Sequence, residues 1–223
     1  MPRITDERRE ARRSEIVAAA RRCFARDGFH QTSMPDIARE AGMSAGAFYR
    51  YFPSKEDVIL EIAGQAFGVM AGRIGAAGDG RPPTIGDIVA AVVGPMGGDT
   101  ITLPSGEVVP TEELARCGVQ AWGELLRQES LRRRASAGFD AVRARLAQML
   151  RLGQEGGVVP ADLDPDDGAR VVIALLPGFI LQRQAFGLDD VDGFVRAVQT
   201  LLGRTPAAGP PAADRHGCED EAS

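Results

Sequence analysis

Three side chains that donate hydrogen bonds lie close together in the first quarter of the chain: Tyr49, Arg50 and Lys55. Lys55 is the only lysine, and every other Lys or Arg cation is an arginine. Phenol, guanidinium and ammonium groups are donors with which proteins contact the phosphates of nucleic acids. The sequence shows no nucleophile paired with a base, no metal-ligand spacing and no phosphate-binding glycine motif. These residues therefore indicate binding to nucleic acid rather than catalysis.

The donors are predicted to lie on and just after the second of two short helices. Ser33 begins a capping box with an acidic residue three positions later, and Ser44 is the expected N-cap of the second helix. Gly42 is predicted to end the first helix, because glycine accepts the left-handed conformation. The second helix is predicted to span 45–52 and to end at Pro53. Two helices joined by so short a turn form the helix-turn-helix pattern, whose second helix enters a DNA major groove.

Small residues at the start of the second helix, Ala45, Gly46 and Ala47, permit a close approach to base edges. Phe48 and Phe52 are four positions apart and should anchor the helix in a core. An ordinary helical hairpin has similar caps, so the caps alone do not identify a DNA-binding unit. The predicted DNA contacts are Thr32, Ser33, Ser44, Ala45, Gly46, Ala47, Tyr49, Arg50 and Lys55.

A longer series of residues, in this order, is typical of one family of regulators: Ile16, Ala19, Ala20, Phe24, Gly28, Phe29, Thr32, Ile37, Ala38, Ala41, Gly42, Ser44, Phe48, Tyr49, Tyr51, Phe52, Lys55 and Leu60. The segment resembles the DNA-binding domain of the TetR (tetracycline-repressor-like) family of transcriptional regulators. The resemblance covers about residues 10 to 60. The family usually has valine or isoleucine near the position of Met34 and often threonine before it. This chain has the pair Ser33–Met34, followed by Pro35, and the departure bears on operator preference.

The resemblance implies a homodimer made by the last two long helices, here within 165–202, and an effector pocket between helices 4 to 8. It also implies a repressor released by a small molecule from a double-stranded operator. A two-fold dimer reads a near-palindromic operator. Leu176 and Phe179 are predicted to lie in the dimer interface. The alternative is a regulator without a small-molecule effector, controlled by a protein partner or constitutive.

The ligand-binding prediction concerns bulky side chains that should converge behind the DNA-binding head. Large Trp and Phe residues among many Gly and Ala leave gaps, and Met adapts to varied ligands. The other interpretation of each residue is plain core packing. We expect the ligand to be a mostly apolar, weakly acidic small molecule. The predicted pocket residues are Phe67, Met70, Met96, Gln120, Trp122, Phe139, Met149 and Phe179.

Helical periodicity along the rest of the chain predicts an all-α class. The predicted divisions are a flexible arm at 1–9, a DNA-binding domain at 10–55, a ligand-binding and dimerisation domain at 56–203 and a disordered tail at 204–223. Residues 98–111 are either a short hairpin or a mobile loop. In the first helix, Arg21 and its neighbouring arginines are predicted to line the solvent face.

Composition sets the remaining expectations for the 223 residues, whose net charge is −5. Residues 1–60 hold 11 Arg and Lys against 9 Asp and Glu, so the acidic excess lies in the remainder. A mildly basic head on an acidic body suits a protein that presents one face to DNA. Three scattered cysteines and no long apolar run favour a cytoplasmic protein without metal, cofactor or membrane partner.

Overall fold

The computed structural model describes residues 6–202, which form nine α-helices and one short β-hairpin. The helices are α1 (Asp6–Gln31), α2 (Met34–Glu40), α3 (Ala45–Phe48), α4 (Lys55–Gly75), α5 (Ile85–Val93), α6 (Thr111–Arg127), α7 (Glu129–Glu155), α8 (Pro165–Phe186) and α9 (Val191–Leu202). A short 3-10 helix (Gly94–Gly97) follows α5. Strands β1 (Thr100–Thr102) and β2 (Val108–Pro110) pair antiparallel, with Ile101 opposite Val109. The all-α prediction is confirmed.

Helices α1, α2 and α3 and the first half of α4 form a head around one apolar core. Ile16 and Phe24 of α1 are fully buried there, with Ile37 of α2 and with Phe48 and Phe52. Gly28, at φ 83°, interrupts α1 and lets Phe29 turn back onto Phe24, with ring centroids 4.5 Å apart. The backbone at Gly28 needs a residue that tolerates positive φ, and glycine does so without a Cβ clash.

The two short helices begin as their caps predict. Ser33 accepts a hydrogen bond from the Asp36 amide, and the Asp36 carboxylate accepts one from the Ser33 amide, which completes a capping box. Gly42 closes the turn at φ 63°. The prediction that the second helix extends to Phe52 is wrong, because α3 ends at Phe48 and a turn follows. Pro53 disfavours the helical conformation only in Phe52, the residue before it, and the turn at 49–51 already separates α3 from that position.

Helix α4 joins the head to the body. Its N-terminal residues Val58, Ile59 and Ile62 lie in the head core, and Ile74, three turns later, lies in the core of the body. The body consists of α5 to α9 and the hairpin. The head core also includes Cys117 of α6 and residues of α4. The core of the head therefore contains side chains from beyond residue 55.

The hairpin alternative for residues 98–111 is the one observed. Ile101 and Val109 point inward and are buried, whereas their neighbours along each strand are exposed. Gly106 supplies the positive φ of the connecting turn. Two paired strands alone are marginally stable in water, so the buried face of this hairpin must be held by the helices beneath it.

The predicted ends of the chain are partly revised. Residues 6–9, which were assigned to the flexible arm, form the first turn of α1. The rest of the arm and the predicted tail at 204–223 lie outside the described residues. In α8, Leu176 and Phe179 are buried within their own chain, and Phe179 packs on Phe194 of α9 at a centroid distance of 5.0 Å. They are therefore core residues of the protomer rather than free interface residues.

Two helices, α4 and α8, are long and apolar enough to cross a membrane when judged by length and composition alone. Helix α8 extends over 22 residues, which is more than the apolar stretch at its centre. Both helices contribute buried side chains to the helical cores. Core helices of a folded domain can be as long and as apolar as membrane-spanning helices.

Candidate nucleic-acid interface and ligand cavity

The outer face of α3 is small and accessible. Ser44 caps the helix by accepting a hydrogen bond from the Ala47 amide at 3.3 Å. Ala45 and Gly46 are exposed, and no atom comes within 4 Å of the position that a Cβ on Gly46 would occupy. Phe48 is fully buried and fixes the helix from the opposite side. The arrangement presents a helix backbone that a partner can approach closely.

Tyr49 and Arg50 follow directly and are both exposed, with Tyr49 47% accessible. Within residues 6–202, Arg50 has neither an ion pair nor a side-chain hydrogen bond. A phenol and a guanidinium thus flank the small face of α3 with donors that a phosphate group can use. Tyr49 packs edge-on against Phe48, at 6.2 Å and 89°, which orients its ring.

Lys55 and Thr32 have structural partners inside the head. The Lys55 Nζ donates to the carbonyl oxygens of Phe29 at 2.7 Å and Thr32 at 3.2 Å. Thr32 is buried, and its hydroxyl donates to the Gly28 carbonyl at 2.8 Å. Two of the three ammonium protons therefore hold the end of α1, and the Thr32 hydroxyl is not available to DNA.

An apolar cavity of about 110 Å³, partly open to solvent, lies in the body, between α4, α5, α6, α7 and α8. The edge of the Trp122 ring meets Phe139 at 6.0 Å and 89° and forms an aromatic wall. Five of the predicted pocket residues line the cavity: Phe67, Met70, Met96, Trp122 and Phe139. Ile101 of the hairpin also lines it.

The other three predicted pocket residues lie elsewhere. Met149 and Phe179 are buried in the core of the body and do not line the cavity. Gln120 connects α6 to the interruption in α1: its Nε2 donates to the Phe24 carbonyl at 3.1 Å, and its Oε1 accepts from the Phe29 amide at 2.7 Å. Gln120 thus links the head to the body and does not line the cavity.

Arg21 connects α1 to α4 and to the hairpin, a structural role that its position on α1 does not predict. It was predicted on the solvent face of α1, but it is 2% exposed. Its Nη1 donates to Gln65 of α4 at 2.8 Å, and its Nη2 pairs with Glu107 of the hairpin. Glu107 is 86 positions away in sequence, so no local spacing could reveal the pair. The hairpin therefore contacts α1 through Glu107 and the cavity through Ile101.

The two cysteines that the structure describes are buried in the head core. Burial raises the pKa of the Cys117 thiol to about 12, so the thiol stays protonated at neutral pH and is a poor nucleophile. Across residues 6–202 no group of three or more metal-ligating side chains occurs.

Two family models match the chain. Residues 16–62 match "Bacterial regulatory proteins, tetR family", and residues 107–204 match "BetI-type transcriptional repressor, C-terminal". The first match covers the head, including the turn between α2 and α3. The second begins just before β2 and extends past the end of α9.

Two curated relatives match over little more than a quarter of the chain. The chain is 41% identical over 61 residues to the uncharacterized regulator YfiR of Bacillus subtilis, a match covering 27% of this chain and 30% of that protein. It is 35% identical over 63 residues to the transcriptional repressor AcnR of Corynebacterium diphtheriae, covering 28% and 33% respectively. The chain thus aligns with about a third of the length of these relatives. Since they are regulators, they agree with the prediction that the chain is not an enzyme.

Solved structures extend the likeness of fold to most of the chain. GusR of Salmonella enterica superposes with a TM-score of 0.70 at 23% identity, over 90% of this chain and 99% of that one. FadR of Bacillus subtilis, solved in complex with stearoyl-CoA, gives 0.67 at 21% identity, over 85% and 97%. The head sequence, the match to the BetI-type body and the shared fold lead to one conclusion: the chain belongs to the TetR family of DNA-binding bacterial transcriptional regulators.

Proposed function

We propose that this protein is a sequence-specific repressor that reads its operator with α3. The observation that carries the proposal is the exposed surface of α3, where Gly46 leaves open space on a helix fixed from behind by Phe48. Small side chains on this face let the helix lie deep in a major groove. The relative AcnR, which shares the head, is named as a repressor. Such a protein acts on DNA in the bacterial cytoplasm.

Phosphate contacts come from the donors around α3. Tyr49 and Arg50 are exposed at its end, and Ser33 and Ser44 present hydroxyls at the two helix starts. Lys55 has one ammonium proton left after its two bonds to carbonyl oxygens. These contacts position α3, and the small face at Ala45, Gly46 and Ala47 reads the bases.

A second copy of the chain is the proposed partner for α8 and α9. These helices expose large apolar side chains in the single chain, among them Leu181 at 51%, Phe186 at 76% and Leu201 at 77%. Exposed apolar side chains on adjoining helices mark an interaction surface. A two-fold dimer through 165–202 places two α3 helices about one DNA turn, roughly 34–36 Å, apart and selects a near-palindromic operator.

A small, mostly apolar effector in the cavity is the proposed signal. Helix α4 lines the cavity with Phe67 and Met70 and contributes Val58 and Ile62 to the head core. A ligand that favours one position of α4 therefore changes the position of the head. The ligand releases DNA if it binds the DNA-free conformation more tightly, and DNA then weakens ligand binding by the same factor. FadR, of similar fold, has been solved with stearoyl-CoA, which supports a ligand-binding role for the body.

The DNA-reading role can be tested with Gly46→Leu and a matched control, Gly72→Leu on α4. Both glycines are exposed, and neither has an atom within 4 Å of the added Cβ. We expect Gly46→Leu to abolish binding to duplex DNA flanking the gene in a band-shift assay, while Gly72→Leu binds as wild type. Equal DNA binding by Gly46→Leu and wild type would refute the assignment of α3.

A further inference from the structure

We propose that the cavity takes a small amphipathic acid, an aromatic ring or short aliphatic group joined to a carboxylate, and that Arg73 holds its anionic end. The proposal rests on the effector role proposed above and specifies the chemical class of the effector. Arg73 lies in the last turns of α4, on the helix that joins the cavity to the head. Arg73 lies outside the two segments that the family models match.

The polarity of the cavity wall carries the inference. Among the residues of 6–202 that line the cavity, Arg73 alone is charged, and the others are apolar or glycine. A carboxylate transferred to such a site without a partner carries a large desolvation cost. A guanidinium at the edge of the site removes that cost by offering parallel N–H donors to both carboxylate oxygens.

Arg73 is also available for a ligand. Within the described residues it has no ion pair and no side-chain hydrogen bond, although nearby arginines of the body do. Arg81 forms two hydrogen bonds with Asp87, Arg116 pairs with Glu112 and Arg143 pairs with Asp166. Arg73 is exposed to solvent, so its unpaired charge lies at the mouth of the apolar cavity, where it favours an anionic ligand over a cationic one.

The size of the cavity restricts the apolar part of the ligand. An apolar cavity of about 150 Å³ is known to hold benzene, and this one measures about 110 Å³. A single ring therefore approaches the limit of the observed volume, and a long acyl chain exceeds it. Phe67, Trp122 and Phe139 line the space with aromatic surface, against which a ring packs in an edge-to-face arrangement.

Arg73 has a second possible role, in which its aliphatic stem covers the cavity while its charge suits the C-terminal end of α4. The two roles differ in what they predict for neutral ligands. A stem role affects every ligand alike, whereas an anchoring role affects acids alone. Arg73→Met keeps an unbranched apolar stem and removes the charge, and Arg73→Lys keeps the charge.

The test uses three probes of one size, benzoate, benzyl alcohol and benzylammonium, titrated into the full-length protein and followed by Trp122 fluorescence and by calorimetry. We expect benzoate to bind most tightly and benzylammonium most weakly. Arg73→Met should weaken benzoate about tenfold or more, the effect of losing a charge-assisted hydrogen bond, and leave benzyl alcohol unchanged. Arg73→Lys should retain most of the benzoate affinity. The control is Arg132→Met, an exposed arginine on α7 that does not line the cavity.

Three outcomes would overturn the proposal in distinguishable ways. Equal affinities for the three probes would show that the cavity binds ligands without preferring acids, so Arg73 would not be an anchor while the effector role would stand. Equal losses for benzoate and benzyl alcohol in Arg73→Met would assign the residue a stem role. If no probe binds the wild-type protein, with its melting temperature unchanged at millimolar probe, both this proposal and the effector cavity fail.

Discussion

The guanidinium of Arg21 in the head pairs with the carboxylate of Glu107 in the hairpin, although the two residues are 86 positions apart. Arg21 is 2% exposed at its side chain and Glu107 is 30% exposed. The Arg21 Nε and the Glu107 Oε2 are buried without partners in the described residues. The hairpin therefore contacts the head through the ion pair between Glu107 and Arg21. It also lines the cavity with Ile101.

The first prediction concerns this ion pair. Glu107→Gln leaves the Arg21 charge buried without its counterion, and we expect it to lower the free energy of unfolding by about 2–4 kcal/mol. Arg21→Met should cost a similar amount, and the double variant should cost less than the sum because the two sites share one interaction. Urea denaturation measures all three. The control Glu112→Gln breaks an exposed pair with Arg116 and should cost about 0.5 kcal/mol or less. Additive effects at Arg21 and Glu107 would contradict the coupling.

The second prediction concerns Lys55. Lys55→Ala should weaken binding to all DNA sequences alike and reduce the dependence of log K on log salt by about 1, because one phosphate contact is lost. The melting temperature should also fall, since the carbonyls of Phe29 and Thr32 lose their donor. Lys55→Arg serves as the charge-retaining control. A lower melting temperature with an unchanged salt dependence would show that Lys55 is structural and does not contact DNA.

The third prediction concerns the dimer. Leu181→Glu and Phe186→Glu place charges on side chains that the single chain leaves exposed, so the protomer should still fold. We expect sedimentation at micromolar concentration to show two chains per particle for wild type and one for the variants, with unchanged helical circular dichroism. Leu126→Glu, at an 81% exposed position on α6, should remain dimeric. Single chains in the wild type would rule out the proposed assembly.

The fourth prediction concerns the start of α4 at acid pH. The hydrogen bond from the Ser54 hydroxyl, assisted by Arg134, lowers the pKa of Asp57. A carboxylate whose pKa is lowered on folding contributes stability above its unfolded pKa, about 4, and that stability is lost as pH falls through the folded pKa. Asp57→Asn should therefore lower stability at pH 7 by about 1 kcal/mol and flatten the decline of melting temperature below pH 5.

The control for Asp57 is the same substitution in a Ser54→Ala background. Removing the hydroxyl donor removes the main cause of the pKa shift, so the effect of Asp57→Asn should shrink. An acid decline that is as steep in Asp57→Asn as in wild type would show that this capping carboxylate does not contribute to the pH dependence.

Features that depend on a few consecutive residues were predictable from the sequence. The caps at Ser33 and Ser44 form hydrogen bonds within three positions, and a spacing rule captures such bonds. The family resemblance of the head is also confirmed. Its residues form a nearly continuous segment, so it too could be predicted from the sequence. The early end of α3 shows the limit of such rules, since they did not predict the turn at 49–51 that follows Phe48.

Features that depend on distant residues were not predictable. Arg21 fits the polar face of α1 by periodicity, and only the folded hairpin places Glu107 over it. Gln120 was assigned to the cavity from its helix, whereas its partners Phe24 and Phe29 are more than 90 positions away. Met149 lies on a helix that borders the cavity but faces the core. A helix face can be inferred from sequence, but what covers that face depends on the packing.

The most direct test of the account is a selection of bound duplexes from random DNA by the wild-type protein and by variants at α3. The account predicts a near-palindromic consensus with half-sites about 10 base pairs apart, or a multiple of that spacing. Replacing Ala45 or Ala47 by a larger side chain should change the consensus, and Arg50→Ala should weaken binding without changing it. A wild-type protein that enriches no sequence, or a consensus that α3 substitutions leave unaltered while Arg50→Ala changes it, would contradict the claim that α3 reads the operator.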